Sequence, residues 1–360
     1  MSMRVTDRIS SRQYLHNNNE ALSNMLKIEN KILTQKAFTR ASEDSVNANR
    51  AMKIRKNLAN LDMYDTNLNY ASELFTAAET NLYNIADNVY LDVNSKLVSV
   101  QDTKNQEELD AIALELEQYA NEMMTCMNAD FGNRQMFAGT SNNKEPFTAV
   151  YYAVDENGEF TLDENGNRQV MPEGQRTASN SRAVVFYNDT EINSSTDYTT
   201  YNGAGGIYID VGLGIEYDAN GVVDPDTAMD IGLNGAQLTG CGMDEGSPAD
   251  SNNIIQLTYD AAFALYHGNK EMANRLIDKL QRAQVTVLSG ITKIGTKQSD
   301  IKFYLEKNDG YRYNLQEDQN KTEGCDLTKE ITNFSSAKAA YNAALQMGSQ
   351  AIPKSIFDFI

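Results

Sequence analysis

Residues 54–89 read IRKNLANLDMYDTNLNYASELFTAAETNLYNIADNV, and this stretch determines the fold that the sequence predicts. Apolar residues recur in it at unbroken intervals of seven, at Ile54, Leu61, Leu68, Phe75, Leu82 and Val89. A second row runs beside the first, at Leu58, Ala71, Ala78, Ile85, Val93 and Val100. Two such rows are typical of a helix that packs lengthwise against other helices. We therefore predict a helix from Ser45 to Val100, about 80 Å long at roughly 1.5 Å per residue.

Helical patterns also flank this stretch on both sides. The segment 42–45 (SEDS) supplies N-cap candidates for the long helix. A third helix is expected after a corner at 102–106, with Leu109, Leu116 and Met123 seven residues apart. Beyond residue 250, the pattern predicts a short helix around 257–265, a long one around 276–305 and a last one from 327.

The composition changes between residues 138 and 250. No Gly or Pro occurs before Gly132, whereas 138–250 is rich in Gly, Asn, Asp, Ser and Thr. The runs VYYAV (150–154), AVVFYN (183–188) and GIYIDVG (206–212) predict strands. Asn-Gly pairs at 157–158, 165–166, 202–203 and 220–221 favour hairpin turns that need positive φ. We expect a small antiparallel β domain inserted between two helical halves.

The predicted fold class is therefore mainly α with a β insert. A long antiparallel helical coiled-coil rod is built from both termini, and a small antiparallel β domain is attached to it. Five segments are predicted. They are a terminal assembly and export segment (1–41), an N-terminal helical rod (42–137), the β-rich insert (138–250), a C-terminal helical rod (251–325) and a C-terminal assembly and chaperone-binding segment (326–360).

The terminal segments carry apolar stripes that suggest an interface. Neither segment has enough sequence to bury all of its apolar residues, so we expect them to find partners in other molecules and to order on assembly. The candidate interface residues are Leu15, Leu22, Leu26, Ile32, Leu33, Leu327, Ile331, Phe334, Tyr341 and Leu345. An apolar tail follows, with Ile352, Ile356, Phe357 and Phe359.

Charge and composition argue against several classes of protein. The chain has 31 Lys and Arg against 50 Asp and Glu, a net charge of −19, which is the wrong sign for binding nucleic acid or anionic lipid. The segment at the start lacks the apolar core of a cleavable secretory signal, and no apolar run is long enough to span a membrane. Cys126, Cys241 and Cys325 are expected to be free buried thiols.

Few residues suggest catalysis, a cofactor or a metal, and we predict none of these. His16 and His267 stand alone, without a nucleophile beside them. The loops DENGE (155–159) and DENGN (163–167) allow a calcium interpretation, but their Gly is fourth rather than sixth, so hairpin turns are favoured. The acidic run from Glu107 to Glu117 is predicted to be a solvated helix face rather than a catalytic carboxylate pair.

Several motifs resemble the flagellin superfamily. They are MRVTDRIS (3–10), SEDSVNANRAMKIRKNLANLDMYDTNLNYA (42–71) and AIPKSIFDFI (351–360). The element GNRQMFAGT (132–140), which predicts a helix stop followed by an exit into the β domain, is similar to one found in the subunits that join hook to filament. The resemblance covers roughly 3–140 and 270–360.

This resemblance implies a non-enzymatic structural subunit of the extracellular bacterial flagellum that joins hook to filament. It implies secretion by the flagellar type III system and head-to-tail polymerisation through the terminal helices. The implied partners are further copies in a ring-like layer, the first hook-associated protein, flagellin, and an export chaperone on the C-terminal segment. The alternatives are a flagellin filament subunit, or a secreted coiled-coil adhesin or effector whose insert binds the target.

Overall fold

The computed structural model describes residues 3–101, 105–141, 145–155, 158–177 and 179–351. Within these residues the chain is mainly helical, with small antiparallel sheets, which confirms the predicted fold class. The α-helices are α1 (Met3–Thr34), α2 (Ser45–Tyr83), α3 (Tyr90–Ser99), α4 (Gln106–Met127), α5 (Gly235–Thr239), α6 (Ile254–Tyr266), α7 (Lys270–Glu323) and α8 (Leu327–Ala351). The strands are β1 (Asp130–Phe131), β2 (Arg134–Gln135), β3 (Phe147–Ala153), β4 (Ser181–Tyr187), β5 (Thr190–Glu191), β6 (Tyr208–Ile209) and β7 (Met229–Asp230).

The chain divides into two units. The first comprises residues 1–62 and 308–360, and the second comprises 63–307. Both predicted terminal segments, 1–41 and 326–360, fall in the first unit, whereas the β-rich insert falls in the second.

The heptad rows form the buried face of α2. Leu61, Leu68, Phe75 and Leu82 are almost completely buried, and Ile54 is half-buried. The predicted single α-helix from Ser45 to Val100 is wrong in one respect, because a π-helix at Asn84–Val89 separates α2 from α3. The row of apolar residues spaced seven apart ends at Val89, because the next position in that row is occupied by Lys96. The wider π turn shifts the register, so that Val93, Leu97 and Val100 are buried instead.

The core of the second unit is centred on α6. All residues from Ile254 to Leu265 are buried, because α4 covers one side of this helix and β4 another. Asn253 caps its first turn by accepting hydrogen bonds from the backbone of Ile255 and Gln256. From α7, the residues Leu276, Leu280, Val287, Ile291 and Ile294 complete this core, as their helical spacing predicts.

The main sheet has the order β3–β4–β5 and is antiparallel. Phe147 lies opposite Tyr187 and Ala153 opposite Ser181, so the strands predicted at 150–154 and 183–188 are confirmed. The predicted strand GIYIDVG is wrong for most of its length, because only Tyr208–Ile209 pairs, with β7. The Asp210 side chain accepts a hydrogen bond from the Gly212 backbone, and Gly212 has φ +94°, so the chain turns away at that point.

The glycines of the Asn-Gly pairs lie in turns. Gly158, Gly166, Gly203 and Gly221 all have positive φ, between 79° and 85°. At DENGN, the Asp163 side chain accepts hydrogen bonds from the backbone of Asn165 and Asn167, which stabilises the turn. Of DENGE, Glu156 and Asn157 lie outside the described residues.

Candidate assembly surface

Helices α1 and α8 of the first unit pair in antiparallel directions. The backbone N–H of Cys325, just before α8, donates to the Gln35 carbonyl just after α1, at 3.1 Å. The N–H of Ala37 donates to the Glu323 carbonyl at 2.7 Å. The end of α1 therefore lies beside the start of α8, and the two helices contact each other from there onwards.

Some of the predicted interface residues lie where the two helices face each other or at the edge of that contact. The half-buried positions on α1 include Ala21, Met25, Ile28 and Ile32, and those on α8 are Glu330, Phe334, Ala337, Tyr341 and Ala344. Their spacing of three or four residues is that of one helix face. Ile32, Phe334 and Tyr341 thus pack within the chain, and Leu22 is half-buried at the edge.

The other predicted interface residues are exposed. On α1, Leu15, Leu26 and Leu33 are 56%, 45% and 74% exposed. On α8, Leu327, Ile331 and Leu345 are 39%, 53% and 41% exposed. Large aliphatic side chains in such a series are what an uncovered interface leaves in contact with water.

These exposed residues share one side of the helix pair. At about 100° per residue, Leu15, Leu26 and Leu33 lie within about 20° of one another, roughly a third of a turn from the face that meets α8. Leu327, Ile331 and Leu345 lie within about 40° of one another, roughly a fifth of a turn from the face that meets α1 and in the same rotational sense. Because the helices are antiparallel, both stripes point to the same side of the pair. We name these six residues the apolar side.

The opposite side of the pair is mainly polar. It carries the exposed residues Gln13, Glu20 and Asn24 on α1, and Lys329 and Ser336 on α8, together with the exposed apolar side chains of Ile9 and Met347. The pair is therefore amphipathic across its width, with large aliphatic side chains concentrated on one side. The tail residues Ile352, Ile356, Phe357 and Phe359, which were also predicted to bind, lie outside the described residues.

A buried carboxylate fixes the end of the helix pair. Glu323, at the end of α7, is only 4% exposed and accepts a hydrogen bond from Arg55 on α2. Lys36 lies 3.8 Å from the same oxygen. The hydrogen bond from Arg55 lowers the pKa of Glu323 below its usual value. Sequence reasoning missed this contact, because no local pattern links residues 268 positions apart.

The turn between α1 and α2 is built by the SEDS motif. The Asp44 side chain accepts a hydrogen bond from the Asn47 backbone at 3.0 Å, and Glu43 accepts one from Thr39 at 3.0 Å. These bonds lower the pKa values of both carboxyls. Phe38, Ala48 and Ala51 form a small core beside the turn, next to an open cavity of about 570 Å³.

The motif GNRQMFAGT is an exit from α4 into the β domain. Phe137 and Ala138 are fully buried, and the Phe137 carbonyl accepts hydrogen bonds from the Tyr187 hydroxyl and the Gly235 N–H. Gly139 has φ +63° and packs against the backbone of Gly203. The motif therefore connects the end of α4 to β4 through Tyr187, to the start of α5 through Gly235, and to the loop that contains Gly203.

The acidic run on α4 is only partly a solvated face. Glu107, Glu108 and Asp110 are exposed, as predicted. The prediction is wrong for Glu117, because α6 covers that side of α4: the Tyr266 hydroxyl lies 3.4 Å from its Oε2 atom, and burial raises its pKa. In the described part of the chain, no group of three or more His, Cys, Asp or Glu could hold a metal ion.

The single Cys and His residues show no arrangement for catalysis within the described ranges. Cys241 is buried, as expected, but Cys126 and Cys325 are only half-buried. Burial raises the pKa values of Cys126 and Cys241, which keeps both thiols protonated. His16 is exposed, and His267 ends α6 with its Nδ1 atom 3.1 Å from the Phe263 carbonyl. No helix in the part of the chain that the structure describes has the length and apolar character needed to cross a membrane.

Residues 5–142 match the family model described as the bacterial flagellin N-terminal helical region, which confirms the resemblance to the flagellin superfamily for that part of the chain. A solved structure named as a flagellar hook-associated protein from Vibrio parahaemolyticus is similar to this chain with a TM-score of 0.52 and 10% identity, over 78% of this chain and all of its own. At that identity, the similarity shows the fold. No curated protein matches the sequence significantly.

Two further solved structures match over nearly their whole length. FlgL from Bacillus cereus has a TM-score of 0.45 and 14% identity, with 74% of this chain and 99% of its own covered. Flagellar hook-associated protein 3 from Legionella pneumophila has a TM-score of 0.44 and 13% identity, with 75% and 98% covered.

Proposed function

We propose that this chain, which carries the flagellin N-terminal helical region, is a structural subunit of the bacterial flagellum that joins hook to filament. Its role is to occupy a position between two other proteins rather than to catalyse a reaction. The observation that carries the proposal is the apolar side of the α1/α8 pair. The similarity in fold to a protein named as hook-associated also supports it.

Burial of the apolar side would drive assembly. Each of its six side chains is about half exposed, so burying the remainder contributes roughly 1 kcal/mol per residue. Six such contributions are comparable to the lower estimates of the cost of association, about 4 kcal/mol. Polymerisation follows if the apolar side of one copy contacts a different surface of the next, because head-to-tail contacts between unlike surfaces repeat.

The proposed partners follow from this position. They are further copies in a ring-like layer, the first hook-associated protein on one side and flagellin on the other. Before assembly, the exposed apolar residues of α8 would favour aggregation, so an export chaperone is proposed to cover them. Secretion through the flagellar type III system, to the extracellular flagellum, belongs to the same proposal.

Deletion of the gene from the bacterium that encodes this chain tests the function. We expect electron microscopy to show hooks without filaments, and cells without motility. Complementation with the wild-type gene should restore both. Normal filaments on the deletion strain would contradict the proposal. If the purified protein forms long filaments alone, it is a flagellin, and if deletion removes adhesion but leaves motility, it is an adhesin.

A further inference from the structure

Charge is distributed unevenly along the chain. Residues 1–56 contain 11 Lys and Arg but only 5 Asp and Glu. Since the whole chain has a net charge of −19, the remaining residues are strongly acidic. The positive part of one copy can therefore attract the negative part of another copy.

A basic surface lies at the start of α2. Arg50, Lys53 and Lys56 are all exposed and are three residues apart. Among the described residues, the structure gives none of the three an ion pair, whereas the neighbouring Arg55 is bound to Glu323. We name Arg50, Lys53 and Lys56 the basic surface.

An acidic surface lies on α3 and α4. Glu108, Glu115 and Glu122 are seven residues apart, which places them in one line along α4. Asp92 of α3 belongs to the same surface, because its charge, like those of Glu115 and Glu122, raises the pKa of Tyr119 between them, although burial is the largest cause. Lys96 pairs with Glu115, but within the described ranges Asp92, Glu108 and Glu122 have no ion pair. We name Asp92, Glu108, Glu115 and Glu122 the acidic surface.

We propose that the basic surface of one copy docks on the acidic surface of a second copy. The two surfaces are of opposite charge, and both are in contact with water in the single chain. Arg50 and Lys53 are about 60° apart around α2 and about 4.5 Å apart along it, so both can face one partner surface, and the carboxylates that they would meet there are those of Asp92 and Glu122. The contact joins unlike surfaces, so it is head-to-tail, and it gives a closed ring rather than a long filament when the rotation between copies closes.

This inference rests on the proposed function and extends it. The apolar side supplies the free energy of assembly, and the charged contact sets which copy lies next to which and in what orientation. Exposed charges are screened over about 8 Å at physiological ionic strength. Assembly should therefore weaken as sodium chloride is raised from about 20 mM to about 500 mM.

Charge reversal with mixing tests the contact. One full-length variant carries Arg50→Glu and Lys53→Glu, and the other carries Asp92→Lys and Glu122→Lys. Each variant alone should need about a tenfold higher protein concentration to assemble at low salt, because each exposed pair is worth about two- to fivefold and attraction becomes repulsion. An equimolar mixture should assemble within about threefold of the wild-type concentration, since unlike copies then carry complementary surfaces.

The control reverses two exposed charges elsewhere on the chain, with Lys293→Glu and Lys302→Glu, and should assemble as the wild type does. Light scattering gives the assembly threshold, and circular dichroism checks that each variant is folded. A mixture no better than either folded variant alone would overturn the proposal, and so would an unimpaired acidic variant or a wild type that stays monomeric at low salt. The phenotype of the gene deletion does not depend on these results. The charged contact between copies can therefore be disproved while the proposed function stands, and the function can be disproved by the deletion alone.

Discussion

Arg55 on α2 donates a hydrogen bond from Nη2 to Oε2 of Glu323 on α7, at 2.5 Å, across 268 positions of sequence. The Glu323 side chain is 6% exposed, whereas that of Arg55 is 51% exposed. The hydrogen bond from the guanidinium therefore replaces hydrogen bonds to water that the carboxylate has lost on burial. This contact joins α2, α7 and the start of α8 in the first unit.

Removing the guanidinium should destabilise this part of the first unit. We expect Arg55→Met to cost about 1–3 kcal/mol, because the buried carboxylate keeps only the more distant Lys36 and a side-chain hydrogen bond with Gln319. Hydrogen exchange of amides near Glu323 measures the loss. Lys27→Met, which removes an exposed cation from α1, is the control and should change stability by less than about 0.5 kcal/mol. Equal exchange in the two variants would show that the Arg55–Glu323 contact contributes nothing.

The same pair gives a pH dependence. Since the pKa of Glu323 is lowered on folding, its contribution is fully present above the unfolded value near 4.5 and is lost as the pH falls through the folded value. We expect the protection of wild-type amides near Glu323, measured relative to their intrinsic exchange rate at each pH, to fall below about pH 4.5. In Glu323→Gln, this part of the acid dependence should be absent. An identical acid profile in that variant would assign the dependence to other carboxyls.

A charge on the apolar side should block assembly without unfolding the chain. Leu26→Asp and Ile331→Asp place a carboxylate on an exposed position, where the single chain tolerates it, but assembly would have to dehydrate it. We expect each variant to remain monomeric in sedimentation experiments and to leave cells non-motile. Asn24→Asp, which adds the same charge on the polar side of α1, should assemble normally. Normal motility with Leu26→Asp would remove the apolar side as an interface.

Phe334→Asp and Tyr341→Asp should behave differently from Ile331→Asp. Both aromatic residues are half-buried in the pair of α1 and α8, so a carboxylate there separates the two helices in the single chain. We expect faster hydrogen exchange throughout α1 in addition to the loss of assembly, whereas the β domain stays folded. Exchange rates equal to those of Ile331→Asp would contradict the assignment of these residues to the helix contact.

A buried network holds the main sheet on α6. The Arg182 guanidinium donates to Asp260 Oδ1 at 2.9 and 3.0 Å, and the Gln256 side chain donates to the same atom at 3.1 Å. We expect Asp260→Ala to cost about 3 kcal/mol in urea unfolding, since these donors lose their acceptor. Glu191→Ala breaks a more exposed pair with Arg168 and should cost less than about 1 kcal/mol. Similar losses in both variants would contradict the role of burial.

Gly139 should tolerate no side chain. A Cβ atom there would lie 1.9 Å from the Gly203 carbonyl oxygen, and φ is +63°. Gly166 has φ +82° but nothing within 4 Å of its Cβ position. Gly166→Ala should therefore cost about 1 kcal/mol from backbone strain alone, whereas Gly139→Ala should cost at least about 3 kcal/mol or prevent folding. Equal thermal shifts in the two variants would show that the backbone relaxes at Gly139.

Local periodicity predicted the elements well and failed where tertiary contacts decide. The heptad rows located the buried face of α2, because burial on one side of a helix leaves its period in the sequence. The π-helix at Asn84–Val89 escaped prediction, although the replacement of an apolar residue by Lys96 in the row of sevens was a signal for a shift of register. Glu117 was misassigned because its exposure depends on α6, which is distant in sequence.

Residue spacing and composition predict that this protein is helical at both ends with β structure between, and that its ends carry apolar stripes. Residue spacing is a local property, so the chain alone reveals it. Residue spacing does not reveal that Phe334 and Tyr341 face α1, that Leu26 and Ile331 remain exposed, or that Glu323 is buried beside Arg55. Each of these depends on which helices meet and at which angle, and packing between residues hundreds of positions apart sets both.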